Sequence, residues 1–188
     1  RGGTGLDVAA LAAAPHGLDL GPLRPSLLAR LQTESGAIEC APPLLMDALA
    51  GLAAAPADAD ALRLVGRRHV RSNNSWMHNA PRLVKGKPRH QLLMHPDDLA
   101  SRGIADGARV RVSSAVGSIV TDAAASDDLM PGVACLPHGF GHDRPGTRIT
   151  RAEALAGASY NDLSDPAALD GPSGNAALNG LAVMVAPA

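Results

Sequence analysis

Aromatic residues are almost missing from this chain, which has one Phe, one Trp and one Tyr in 188 residues. Any core must therefore be packed from Val, Leu, Ile, Ala and Met, and Phe140, Trp76 and Tyr160 become conspicuous. Cysteine is as scarce. Cys40 and Cys135 lie far apart with no CxxC partner, which excludes zinc or iron–sulfur ligation built from this chain's cysteines. Two isolated thiols suit a reduced, cytoplasmic compartment at least as well as a disulfide. No apolar run approaches the length of a membrane span. The formal charge of −1 gives no basic excess for a nucleic acid. The phosphate-binding GxGxxG and GxxxxGK[ST] spellings are absent, as is a Ser or Cys nucleophile with a readable base and acid, so no catalytic residue is assigned. The Arg1–Gly5 start has neither an initiator Met nor an apolar signal core and reads as the cut edge of a longer polypeptide.

What is present is a concentration of positive charge. Residues 1–60 carry three Arg against seven acids, and residues 91–188 carry six basic groups against eleven. Between them, Arg63, Arg67, Arg68, Arg71, Arg82, Lys85, Lys87 and Arg89 face no Asp or Glu in sequence. Within this stretch Ser72-Asn73-Asn74-Ser75-Trp76-Met77-His78-Asn79 forms a polar loop holding the Trp. A solvated basic face would account for the charge alone. The added Asn, Ser and His supply directional donors, which point to a clamp for phosphate or carboxylate oxygens by Arg67, Arg68, Arg71 and Ser72–Ser75. His78 and Asn79 are placed to read a heterocycle beside it. A second candidate loop is Pro137-His138-Gly139-Phe140-Gly141-His142, whose glycines permit positive φ or a close backbone approach. As metal ligands, His138 and His142 lack a third partner, so no metal site is expected.

Periodicity predicts six short strands: Leu62–Val65, His90–Met94, Arg109–Ser113, Gly117–Ala123, Val133–Leu136 and Gly180–Val185. The third and fourth should pair as a hairpin. Helices are expected over Leu6–Leu11, Ser26–Leu31, Leu44–Leu52 and His95–Ala100, with residues 53–60 as a linker or helix end. Asp97 and Asp98 are expected to cap the last of these helices, with ligand contact by one of them as the alternative. Gly103 should close it. Residues 143–175 are irregular and long enough to suggest that they cover a site or dock on a neighbour. The count gives a mainly β chain with short helices, a small mixed or closed barrel over residues 61–188 preceded by a helical segment or linker over 1–60.

The spelling Gly66-Arg67-Arg68-x-x-Arg71-Ser72-Asn73-Asn74-Ser75-Trp76-Met77-His78-Asn79 is accompanied by His95-Pro96-x-Asp98, Gly103-Ile104-x-Asp106-Gly107, Pro131-Gly132-Val133 and Pro137-His138-Gly139-x-Gly141-His142. Together they resemble the C-terminal dinucleotide-binding domain of the molybdopterin oxidoreductases, the superfamily of formate dehydrogenases, nitrate reductases and dimethyl sulfoxide reductases. The look is nearest to the formate-dehydrogenase-like branch. The resemblance implies a six-stranded double-psi β-barrel whose loops bind a pyranopterin guanine dinucleotide carrying molybdenum or tungsten. It implies cofactor contacts at Gly66, Arg67, Arg68, Arg71, Ser72, Asn73, Asn74, Ser75, Trp76, His78 and Asn79. It adds His95 with Asp98, then Pro137, His138, Gly139, Gly141 and His142, then Asn161 and Asn179. It also implies that the metal ligand and the iron–sulfur cluster belong to regions outside this chain, and that the chain is not catalytic alone. Its partners would be the remaining domains and an electron-transfer subunit. The competing expectation is a stand-alone anion- or nucleotide-binding module without redox activity.

Overall fold

The computed structural model describes residues 5–53 and 60–188, which form two compact units divided between Pro43 and Leu44. Residues 54–59 of the linker or helix end expected at 53–60, and the Arg1–Thr4 start, lie outside the described residues. The first unit holds α1 (Val8–Ala12) and α2 (Leu27–Arg30). Asp7 caps α1 by accepting the Ala10 N–H at 2.7 Å. Neither helix buries a residue, and Val8, Leu23 and Leu28 are exposed. At the boundary α3 (Pro43–Ala53) begins on Pro43, where a missing N–H costs nothing. Its Leu45, Leu49 and Leu52 recur at helical spacing as expected, yet all three are exposed.

The second unit is a closed six-stranded barrel. Its strands are β1 (Leu62–Arg67), β2 (Gln91–Met94), β3 (Arg109–Ser113), β4 (Ser118–Ala125), β5 (Val133–Pro137) and β6 (Leu181–Pro187), ordered β1-β5-β2-β4-β3-β6. All six expected strands form, and the last runs two residues further than periodicity indicated because Ala186 and Pro187 pair with Arg111 and Val110. β3 and β4 make the expected hairpin, while β1–β5 and β2–β4 are parallel. Alternate residues point inward. Leu62 and Leu64, Leu92 and Met94, Val110 and Val112, Ile119 and Ala123, Ala134 and Leu136, and Val183 and Val185 fill the interior. Each large aliphatic side chain among them contributes about 1.5–3 kcal/mol of transfer free energy, so the barrel holds itself together without staples.

The pairing fixes which loops share an end. Arg67 is level with Pro137, and the register of the other pairs brings the starts of β2, β4 and β6 to the same rim. The long connections after β1 and β5 therefore emerge side by side. The opposite rim is closed by α5 (Pro96–Ser101), whose Leu99 packs with Ile104 in the core. Gly103 at φ +64° lets the Ile104 N–H reach the Leu99 carbonyl at 2.9 Å, the expected helix stop.

Asp97 and Asp98 both stand in the first turn of α5, where their charge suits its unpaired N–H groups, but neither is the cap acceptor. The cap acceptor is the His95 ring, whose Nδ1 takes the Asp97 N–H at 3.2 Å. Asp98 instead accepts the Gly132 N–H at 2.7 Å and faces Arg102 at 3.4 Å, tying α5 to the turn before β5. Two further short helices had no periodic signal: α4 (Pro81–Val84), begun by proline, and α6 (Thr150–Glu153). A 3₁₀ turn, Tyr160–Leu163, sends Tyr160 and Leu163 into the core from the rim opposite α5. No helix among the described residues is long and apolar enough to cross a membrane.

Candidate functional site

The strand parity that fills the barrel also furnishes its rim. Gly66 continues the inward positions of Leu62 and Leu64, His138 those of Ala134 and Leu136, His90 those of Leu92 and Met94, and Thr121 lies between Ile119 and Ala123. At this end the interior therefore turns from aliphatic to polar. The His138 ring stacks on Tyr160 with centroids 4.3 Å apart and fills the space where a Gly66 side chain would be, its Cδ2 only 2.5 Å from an ideal Cβ. Tyr160 O–H donates to the Leu178 carbonyl at 2.6 Å and reaches the Leu64 carbonyl at 3.3 Å. Burial pushes its pKa up to about 12, so the phenol remains a donor.

Around this floor three segments interlock. The loop after β1 winds through successive turns with Asn73 and Asn74 at φ +41° and +63°, a conformation asparagine tolerates better than most residues. Its Ser72 and His78 are buried. The Asn74 backbone lies directly against Gly139, at φ +87°, and the Ser159 side chain lies against Gly141. Both glycines have the positive φ and close approach expected of them, and the room left by their missing Cβ atoms is taken by the protein's own loops. His78 Nδ1 and His142 Nε2 are 2.8 Å apart and share one hydrogen bond across the two loops. Phe140 lies between His78 and His90, with ring centroids at 4.2 and 4.6 Å.

Burial shifts His78, His90 and His138 toward neutrality. Burial holds His78 below the usual imidazole range, with nearby His142 adding to it. Burial also lowers His90, and burial with the Arg68 charge lowers His138. Burial thus favours the neutral form of these three rings, which stand beside permanent cations. Arg67 donates to the Arg89 carbonyl at 3.1 Å, and Arg89 to the Leu83 and Lys85 carbonyls at 2.6 and 3.2 Å, which shapes the α4–β2 connection. The ion pairs found among the described residues, His95–Asp97, Arg102–Asp98, Arg109–Asp122 and Arg144–Asp162, leave the basic stretch uncompensated.

Of the expected residues the structure brings Arg71, Ser72 and His78 to one cavity, while Arg67, Asn74 and His138 belong to the same rim but not to its lining. A cavity of about 480 Å³ is lined by Arg71, Ser72 and His78 from one side and by Gly86–His90, Thr121, Asp122, Phe140, Asp143 and Ala154–Gly157 from the others. Asn79 is used locally, its Oδ1 accepting the Arg151 and Ala152 N–H groups at the start of α6. Asn179 accepts the Gly66 N–H at 2.8 Å, and Asn161 is exposed on the 3₁₀ turn at this rim. Trp76 is 81% exposed. His95 and Asp98 are not brought together with these residues: they lie at the opposite rim, where their polar atoms serve α5 and the Gly132 turn. Of residues 143–175, Asp143 and Ala154–Gly157 line this cavity. Sequence reasoning missed His90, Thr121 and Gly157, although parity with Leu92 and Ala123 marks the first two as inward-facing. Gly157 carries no such sign; it matters because a Cβ there would meet His90 and Phe140. Among the described residues no cluster of His, Cys, Asp or Glu is arranged to hold a metal.

Residues 62–182 match the family model described as "Molydopterin dinucleotide binding domain". The chain is 36% identical over 85 residues to biotin sulfoxide reductase of Cereibacter sphaeroides, an alignment covering 44% of this chain and 11% of that protein. It is 31% identical over 118 residues to a tetrathionate reductase subunit of Salmonella typhimurium, covering 54% and 12%. It is 47% identical over 60 residues to dimethyl sulfoxide/trimethylamine N-oxide reductase of Rhodobacter capsulatus, covering 29% and 7%. The chain thus spans 7% to 12% of the length of these relatives. Among solved structures, acetylene hydratase from Pelobacter acetylenicus shares the fold at a TM-score of 0.52 and 21% identity, over 68% of this chain and 18% of that one. A barrel with two long loops at one rim, matched along its length by this family model, belongs to the molybdopterin dinucleotide-binding domains of the molybdopterin oxidoreductases.

Proposed function

We propose that this chain grips and orients a pyranopterin guanine dinucleotide within a larger oxidoreductase, through the rim formed by the Gly66–Asn79 and Pro137–His142 loops. The observation that carries the reading is the cavity in which uncompensated cations, neutral imidazoles and Phe140 converge. Its volume lies within the ordinary range for small-molecule sites. The residues fit the group: guanidinium and ammonium charges suit a diphosphate, flat rings suit a heterocycle, and His78 Nε2 is a buried atom with no hydrogen-bond partner. When bound, the cofactor supplies the metal at which electrons are exchanged. This chain's residues hold it and exclude water around it, while the metal ligand, the iron–sulfur cluster and the substrate pocket belong to the rest of the enzyme.

The double-psi arrangement is supported by two parallel strand pairs inside a closed six-stranded order. Residues 1–60 act in this reading as the segment that joins the barrel to the preceding domain. A formate dehydrogenase and a reductase of oxidised sulfur or nitrogen compounds are alternative whole enzymes. The names of the three relatives favour the reductase. A cytoplasmic location is supported by the unpaired cysteines alone.

The reading is tested on the whole oxidoreductase by substituting Arg71→Ala and measuring GMP released by acid hydrolysis, with molybdenum and tungsten, per polypeptide. A clear fall in nucleotide and metal content is expected. Content equal to wild type would overturn the assignment of this rim to the dinucleotide.

A further inference from the structure

The long loops after β1 and β5 share a hydrogen bond between two histidines. His78 Nδ1 and His142 Nε2 stand 2.8 Å apart, and the rings meet edge to face with centroids at 5.0 Å. Such a bond needs one N–H and one bare lone pair. The pair therefore accommodates a single extra proton. With a second, both facing nitrogens are donors and the bond is lost.

The surroundings of His78 resist that second charge. His78 is 5% exposed, and among the described residues its Nε2 has no hydrogen-bond partner. Phe140 packs on it at 4.2 Å between centroids and on His90 at 4.6 Å. The cavity that His78 lines carries Arg71, Lys87, Arg89 and Arg109 against Asp122 and Asp143, and Asp122 faces Arg109 at 3.9 Å. Burial, then His142 and then His90 disfavour a charge on His78, and only the Gly139 backbone favours one.

The segment that bears His78 is built to move as a piece. Turns from His69 to Ser72 and Asn73, from Ser72 to Met77 and from Ser75 to His78 hold its shape from within. Its two ends are anchored, Arg67 by pairing with Pro137 and Asn79 by accepting the Arg151 and Ala152 N–H groups. Between these anchors Val70 and Trp76 are exposed. The segment meets the loop after β5 through the histidine pair, the ring contact with Phe140 and the approach of Asn74 to Gly139. The strand residues of the core beneath carry no titratable group.

We propose that His78 and His142 act as an acid-released latch: when both rings carry a proton, the segment between Arg67 and Asn79 leaves the loop after β5 and the rim opens, while the barrel stays folded. This goes beyond the function proposed above, because it concerns when the rim is assembled and stands whatever ligand the rim takes. Docked, the pair binds one extra proton at most; apart, each ring titrates freely and the two bind two. Opening is therefore disfavoured above the ordinary imidazole value of about 6.5. It gains population as the pH falls below that value, by at most about tenfold per pH unit for the one proton taken up.

The test is amide hydrogen exchange of the full chain at about pH 7.5, 6.5 and 5.5, corrected for the intrinsic rate and repeated in about 1 M urea, in wild type and in His142→Gln, His78→Gln and His16→Gln variants. In H142Q the side-chain amide accepts from a protonated His78 as well as donating to a neutral one, so the link survives acid. In wild type, protection of residues 70–78 should fall by about threefold or more beyond any fall in β3 and β4. That extra exchange should not respond to urea, since a local opening exposes little surface. H142Q should remove most of the extra loss, H78Q should abolish its pH dependence, and H16Q should match wild type. A wild-type loop whose protection tracks the strands at every pH, or an equal extra loss in H142Q, would overturn the latch. If H78Q does not dock the loop even at the highest pH, H142Q alone decides.

Discussion

Replacing Gly139 by alanine separates two effects that usually arrive together. Gly139 and Gly132 have nearly the same positive φ, +87° and +85°. An added methyl at Gly132 meets nothing within 4 Å, whereas at Gly139 it meets Asn74 O at 2.6 Å, Asn74 C at 2.7 Å and Ser75 N at 3.0 Å. Left-handed backbone costs an alanine about 1–2 kcal/mol, so Gly132→Ala should lose that amount and nothing more. Gly139→Ala bears the same cost and must also push the facing loop away by roughly 1 Å, because the obstructing atoms are backbone. That displacement breaks the His78–His142 hydrogen bond, a loss of about 0.5–1.5 kcal/mol, and wets Ser72 and His78. The expected total for Gly139→Ala is about 2–4 kcal/mol, against about 1–2 kcal/mol for Gly132→Ala. Urea denaturation of both variants gives the difference, and amide exchange across residues 72–79 locates it: faster in Gly139→Ala, unchanged in Gly132→Ala. Equal stabilities with equal loop protection would refute the docking of these two loops through their backbones.

Stability should also fall with acidification. His78, His90 and His138 all have folded pKa values below the ordinary 6.5, so the unfolded chain binds more protons once the pH drops through that value. The stability they contribute is complete above about pH 7 and is lost as the pH falls below 6.5 toward their folded values. Urea midpoints from pH 7.5 to 5.5 should decline, and a flat profile would contradict the burial of these rings. Tyr160→Phe removes the hydroxyl that joins the Leu178 and Leu64 carbonyls and should cost about 1–2 kcal/mol in a melt, with the His138 ring shifts moving too. Asp98→Ala should cost about 1–3 kcal/mol by freeing the Gly132 N–H and Arg102, yet leave GDP titration of the far rim unchanged; weakened GDP binding at unchanged stability would return Asp98 to the site.

The barrel was legible in the chain because its strands are short, alternate at period two and are punctuated by Gly and Pro, so local pattern and burial agree at Leu62–Leu64, Leu92–Met94 and Val110–Val112. The basic loop was legible because charge and amide density are properties of composition within one segment. What sequence could not contain was which loops meet. His95 and Asp98 follow β2 at its far end, and only the antiparallel pairing of β2 with β5 shows that this end points away from Arg67 and His138. For the same reason His90, at the near end of β2, enters the site beside residues some fifty positions away. Motif spacing runs along the chain, whereas proximity in a closed barrel is set by strand direction and register. The sequence therefore determined the parts and the kind of ligand chemistry they offer, and the tertiary pairing decided which residues face one another across the cavity.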